Sequence, residues 1–234
     1  APFRDEAGPL GAPPPHPSLA KFVSFDPAAR PKPILVMELV EGPNLERLIE
    51  THDLEIPRAV QALGEVLDGL AAMHEAGVGH LDLKPANVVL RGGQTAVLVD
   101  FGLAGRNLRL GCGSAPYSPP EVWGVAPSEA KPTPMAADVY AFACLAFEVL
   151  TGDLLMEGDT EIALVSAHVS HDGLPPRLRG LARDPRFAEL GELLFAALRR
   201  LPQNRISVRE LRTEWARRTQ RIAKSPASWP LTFA

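Results

Sequence analysis

At 234 residues, with 46% apolar and 22% charged side chains, the chain has the composition of a folded globular protein and the length for one or two domains. A net charge of −4 gives no electrostatic reason to expect nucleic acid as a partner, and with no run of 18 apolar residues no membrane-spanning segment is expected. Two cysteines, Cys112 and Cys144, cannot build a disulfide framework, so a reducing, cytoplasmic compartment is the expectation.

The chain opens at Ala1 without an initiator Met, as expected of a processed or excised chain. Residues 1–18, Pro13, Pro14 and Pro15 among them, are too rich in Pro and Gly for one long helix. Residues 19–25 and 34–40 read as strands, and the proline-rich segment 26–33 between them suits a hairpin loop. Asn44 can cap a short helix that starts at Leu45. Pro57 suits the first turn of the next helix, where Val60, Leu63, Val66, Leu67, Leu70 and Met73 recur at helical spacing. A short hairpin follows, with strands at 88–90 and 96–99 and a turn at 91–94. Residues 136–150 are apolar on nearly every side, which predicts a helix inside the domain. The remainder reads as helical: a helix over 187–200, then one from Ser207, where Ser207 and Glu210 make an S-x-x-E capping box. The fold class is α+β, with two strands, helices, a short hairpin and then helices only.

Between the long helix and the hairpin lies His80-Leu81-Asp82-Leu83-Lys84-Pro85-Ala86-Asn87, and Asp100-Phe101-Gly102 follows the hairpin. Phosphoryl transfer to a hydroxyl needs a carboxylate to orient and deprotonate it, a cation near the moving phosphate, and oxygen ligands for Mg²⁺. Asp82, Lys84, Asn87 and Asp100 can fill those roles in that order. Here the sequence resembles the eukaryotic-type (Hanks-type) serine/threonine protein kinases, through H-x-D-L-K-P-x-N and D-F-G.

The resemblance runs from about residue 19 to 211 and implies a kinase-like fold with a mainly helical larger lobe. It implies ATP and Mg²⁺ as cofactors, a protein substrate, and Asn87 and Asp100 as metal ligands. Gly113-Ser114-Ala115-Pro116-Tyr117-Ser118-Pro119-Pro120-Glu121 is similar to the segment in which a hydroxyl, here Ser114, contacts the catalytic Asp and Lys. Asp138-Val139-Tyr140 resembles the start of the buried helix that anchors the catalytic loop, and Arg205 matches the arginine that pairs with Glu121. Backbone groups of Glu38 and Val40 would read adenine, Asn44 would touch ribose, and Val89 would floor the adenine pocket. Phe22, His80 and Phe101 match members of a hydrophobic spine. The implied division is 1–40 for a remnant of the smaller lobe (end of the helix C region, strands 4 and 5), 41–222 for the larger lobe, and 223–234 for a tail.

The chain departs from the family pattern at several places. Leu81 replaces the arginine that gathers a phosphorylated loop, and Ala86 replaces an acidic residue used on substrate arginines. The Gly-rich loop, the strand lysine and the first strands are absent, so a missing lobe or another chain would complete the nucleotide site. Glu6 stands near the place of the family's helix glutamate, although Gly8, Pro9 and Gly11 spoil a helix there. A second reading is a pseudokinase-like lobe kept as a protein-binding scaffold. Small-molecule phosphotransferases share only H-x-D-x-x-x-x-N and fit less well. The plainer readings make His80 a packed structural residue, Cys112 an ordinary loop cysteine and 131–134 an exposed insert. They make Arg217, Arg218 and Lys224 a solvated face complementing a helix dipole.

Overall fold

A computed structural model describes residues 14–26, 28–32, 34–224 and 228–233. Glu6 and its glycine- and proline-rich neighbours lie outside the described residues. Four strands and eight α-helices are described: β1 (Phe22–Asp26), β2 (Ile34–Met37), α1 (Leu45–Glu50), α2 (Ile56–Glu75), β3 (Val88–Arg91), β4 (Thr95–Leu98), α3 (Pro134–Thr151), α4 (Glu161–Val169), α5 (Pro176–Arg183), α6 (Ala188–Ala197), α7 (Val208–Arg218) and α8 (Gln220–Ala223). The fold is α+β, with two small antiparallel hairpins and a helical body.

Strands β1 and β2 pair from Phe22↔Met37 to Asp26↔Ile34, with a register shift between Phe22 and Ser24. Both are shorter than their apolar runs predict. Ser18 and Ala20 spend their backbone groups on Leu98 instead, with Ala20 N–H donating to Leu98 O and Leu98 N–H to Ser18 O, both at 2.9 Å. Beyond Met37 the chain leaves the pairing, and Leu39 is 86% exposed. Val23, Ile34, Leu35 and Val36 on the same hairpin are also exposed.

Helix α2 carries Pro57 in its first turn, where no intrahelical donor is lost, and buries Val60, Leu63, Val66, Leu67, Leu70 and Met73 on one stripe. That stripe packs against α3, α7, α8 and β4. Helix α3 starts two residues earlier than expected because Thr133 caps it, accepting from Ala136 N–H, and Pro134 fits its first turn. Thr133 thus has a structural task. The helix ends at Gly152, whose φ of 75° is left-handed. By length and composition alone α3 could cross a membrane, but 83% of it is buried in protein. Its Tyr140, Phe142 and Phe147 are among the largest fully buried side chains, each worth about 1.5–3 kcal/mol of transfer free energy.

Helix α6 stops short of its expected end at Arg200. The carbonyls of Arg199 and Arg200 accept from the Arg205 guanidinium, and Arg200 N–H donates to Asp172, so the chain turns away. Helix α7 opens with both halves of its capping box formed between Ser207 and Glu210. Residues 228–233 lie back along α3: Trp229 Nε1 donates to Val149 O at 2.8 Å, and Phe233 meets Phe147 edge-on.

Two buried polar clusters cross this body. Arg205 and Glu121 form a two-pronged ion pair, with side-chain exposures of 1% and 0%. The remaining guanidinium hydrogens go to the carbonyls of Arg199, Ala136 and Arg200. Above the Arg205 guanidinium lies the Tyr140 ring, 4.8 Å away, and Tyr140 Oη bonds both His168 Nδ1 (2.8 Å) and His171 Nε2 (3.3 Å). Burial lowers both histidines from the ordinary 6.5 to about 4.

Removing one partner of the buried Arg205–Glu121 pair strands a charge, at a cost of about 3–5 kcal/mol. Arg205→Ala is therefore expected to lower the melting temperature far more than Arg217→Ala, whose side chain is 59% exposed. Equal shifts in the two variants would contradict the pair's importance. The histidines set a pH dependence. Their folded values lie below the unfolded 6.5, so the unfolded state binds more protons as pH falls, and stability is lost from about 6.5 down to about 4. His168→Gln removes one titrating group, so chemical denaturation across that window is expected to show a shallower loss than the parent chain.

Candidate active site

The loop after α2 is held by one carboxylate. Asp138, fully buried on α3, accepts from His80 N–H and Leu81 N–H at 2.8 Å each and from His74 Nε2 at 2.8 Å. These bonds fix Leu81 in the left-handed region at φ 66°, a conformation that costs an L-residue about 1–2 kcal/mol. Gly79 precedes it and could carry no side chain, since a Cβ there would meet Pro134 Cβ at 2.6 Å. Its N–H and C=O pair with those of Gly105, tying the loop to the segment after Phe101.

His80 lies beneath the loop. Its Nδ1 accepts from Asp82 N–H (3.3 Å) and its Nε2 donates to Val99 O (3.1 Å). Burial lowers its pKa, which agrees with the neutral ring these partners require. Its ring meets Phe101 edge-on at 5.5 Å. Phe22, half-buried on β1, makes no ring contact with either among the described residues.

Asp82, Lys84, Asn87 and Ser114 come together in one bonded cluster. Ser114 Oγ donates to Asp82 Oδ1 at 2.9 Å, and Lys84 Nζ reaches Asp82 Oδ2 (2.8 Å) and Ser114 Oγ (3.2 Å). Asn87, in the turn Pro85–Asn87, donates from Nδ2 to Asp82 O (2.8 Å) and Oδ2 (3.0 Å). Burial pushes the Asp82 carboxyl up, but the bonds from Lys84, Ser114 and Asn87 outweigh it and hold the group below the ordinary carboxylate range. A hydroxyl, an ionised carboxylate and an ammonium thus meet at one point. Asp100 lies apart from this cluster, exposed and left-handed at φ 60°, with Gly102 N–H donating to its Oδ1.

Glu38 and Val40 follow the end of β2 at Met37. Glu38 N–H donates to Lys21 O, while its carboxylate accepts from Lys21 N–H and pairs with Arg91. Pro43 and Glu41 take bonds from Leu90 and Gly92, so residues 41–44 are zipped onto β3, where Val89 faces Asn44 in an isolated bridge. The Asn44 side chain is divided: Oδ1 caps α1 through Arg47 N–H, and Nδ2 reaches Ala86 O at 3.4 Å. The side chain that the resemblance places at ribose is thus engaged within the protein at both ends. Val40 is half-buried and packs against the core.

Three polar contacts escaped sequence reading. His74 sits on the apolar stripe of α2, in line with Leu67 and Leu70, and a polar residue there was the available signal. Tyr117 Oη donates to Glu148 Oε2 at 2.6 Å; burial raises both groups. The Tyr140–His168–His171 chain joins α3 to α4 and the turn after it across 28 and 31 residues, and no local pattern marks it.

Comparison with known proteins agrees with this geometry. The protein kinase domain family model matches residues 15–215. Serine/threonine-protein kinase PknB of Mycobacterium tuberculosis is 29% identical over 218 residues, covering 86% of this chain and 33% of the relative. PknB of Mycolicibacterium smegmatis is 29% identical over 203 residues, 81% of this chain and 31% of the relative. Serine/threonine-protein kinase PkaB of Streptomyces coelicolor is 35% identical over 193 residues, 76% of this chain and 43% of the relative. The chain spans about a third of the length of the PknB relatives it matches. The chain belongs to the protein kinase family, in its eukaryotic-type serine/threonine branch.

Proposed function

We propose that this chain carries the catalytic lobe of an enzyme that transfers the γ-phosphoryl group of ATP to serine or threonine hydroxyls of protein substrates. The observation that supports it most is the Ser114 hydroxyl donating to Asp82 Oδ1 while Lys84 touches both groups. A substrate hydroxyl donating to Asp82 in the same way would be oriented for attack. The ionised carboxylate is ready to take its proton. Lys84 supplies positive charge where the transferred group gains negative charge.

The donor set suits a hard cation. No cluster of three or more His, Cys, Asp or Glu poised for a metal is found among the described residues. Mg²⁺ does not need one, because it keeps water and phosphate oxygens and takes only one or two carboxylates. Asn87 turns its Nδ2 to Asp82, which leaves its amide oxygen available as a neutral ligand, and the exposed Asp100 carboxylate would be the charged one. When bound, Mg·ATP would supply the phosphoryl group and neutralise its charge. Backbone groups of Glu38 and Val40 would hold the adenine, with Val89 beneath it. Leu81 has no cation to gather a phosphorylated loop, and Ser114 is the one hydroxyl in sequence between Gly102 and Tyr117. Transfer therefore does not depend on phosphorylation of that loop.

The mutational test uses a protein in which this chain is joined to a lobe bearing the Gly-rich loop and strand lysine. Asp82→Asn is expected to leave Mg·ATP affinity nearly intact and slow transfer by roughly 10²–10⁴-fold, as for loss of a positioned general base. Asp100→Asn is expected to weaken Mg²⁺-dependent nucleotide binding, because it removes a charged ligand. A protein that transfers no phosphate to serine or threonine, and whose nucleotide binding neither mutation changes, would favour the scaffold reading. Phosphatase treatment of the parent is expected to leave its rate unchanged, and loss of activity traced to a loop phosphate would refute phosphorylation independence.

A further inference from the structure

His168, on α4, is 1% exposed and touches the peptide that follows Ser114. Its Nε2 lies 2.9 Å from Ala115 O. A carbonyl only accepts, so Nε2 carries the hydrogen and Nδ1 does not. Nδ1 therefore accepts from the Tyr140 hydroxyl at 2.8 Å. The Tyr140 oxygen is then free to accept from His171 Nε2 at 3.3 Å. The His171 tautomer is fixed in turn, because its Nδ1 accepts from Gly173 N–H at 3.0 Å. Every hydrogen in this chain has one direction: Gly173 to His171 to Tyr140 to His168 to Ala115. Both rings are neutral, and adding a proton to either sets two donors face to face.

We propose that His168, aligned by Tyr140 and His171, is a positioning residue that fixes the Ala115 peptide and so holds the Ser114 hydroxyl against Asp82 and Lys84. Ser114 O also accepts from the N–H groups of Tyr117 and Ser118, both at 3.0 Å. The turn is thus gripped by its own backbone on one side and by His168 on the other. The groups facing the chain leave its polarity intact. Arg205, over the Tyr140 ring, is neutralised by Glu121, and the Cys144 thiol is held protonated by burial. Asp172 favours protonation of His171, but burial outweighs it. That Ser114 marks the substrate hydroxyl rests on the phosphoryl-transfer reading, but the bonding chain stands without it.

Amide hydrogen exchange on the 234-residue chain at neutral pH tests the proposal without any catalytic readout, so its failure would leave the phosphoryl-transfer reading untouched. His168→Ala is expected to speed exchange at Tyr117 and Ser118 about tenfold, the worth of one net hydrogen bond, with amides of α3 within about twofold of the parent. His168→Gln keeps an N–H donor for Ala115 O and is expected to restore most of the protection. Unchanged rates in His168→Ala, or an equal rise throughout α3, would overturn the positioning role. Should His168→Ala not fold, Tyr140→Phe decides. It keeps the ring and removes only the hydroxyl between the histidines, and parent-like exchange at Tyr117 and Ser118 in that variant would overturn the proposal.

Discussion

The Asp138 carboxylate is the constraint on which the rest of the site depends. An ionisable group with no exposure is costly to bury, and here three donors compensate it. Two of them are consecutive backbone N–H groups of the loop, which forces Leu81 into a left-handed turn and turns Asp82 outward toward Lys84, Asn87 and Ser114. The third, His74, comes from the last turn of α2, so the carboxylate joins α3, α2 and the loop at one point. Helix α3 can carry this load because its other faces are filled with apolar side chains and it has little freedom to move.

The segment that closes over the loop is held by different means at its two ends. Near its start, paired backbone bonds between Gly79 and Gly105 hold it. At its far end, Glu121 is locked by a guanidinium whose remaining hydrogens also reach carbonyls. Between them, Ser114 meets Asp82 on the loop and Tyr117 meets α3 through Glu148. Few residues separate these anchors, so the segment has little slack with which to adopt a second arrangement.

Much of this was legible in the sequence, and the unread part has a physical cause. The helical spacing of α2, the all-round apolar character of α3 and the capping box of α7 are local signals, and each element forms where its signal lies. The cluster of Asp82, Lys84, Asn87 and Ser114 was legible through a motif, which stores three-dimensional proximity as sequence order. The strand ends were not, because Ser18 and Ala20 find better partners on Leu98 than on the neighbouring strand. Helix α6 ends early for a similar reason, since Arg205 captures the carbonyls that a further turn would use. The Tyr140–His168 contact was hidden altogether: the two bond across 28 residues, and nothing in either neighbourhood announces the other.

The left-handed Leu81 has a bearing on which sequences this loop can accept. Asp138 grips the backbone N–H of residue 81, and any amino acid other than proline offers that group. Charge at this position is therefore free to change without loosening the loop. Side-chain branching is not, because Val, Ile or Thr at φ 66° would add clashes at Cβ that an unbranched residue avoids. Glycine and asparagine would relieve the strain. Substitution tolerance at position 81 thus follows side-chain shape and leaves polarity open, which lets a leucine stand beside the Asp82 carboxylate.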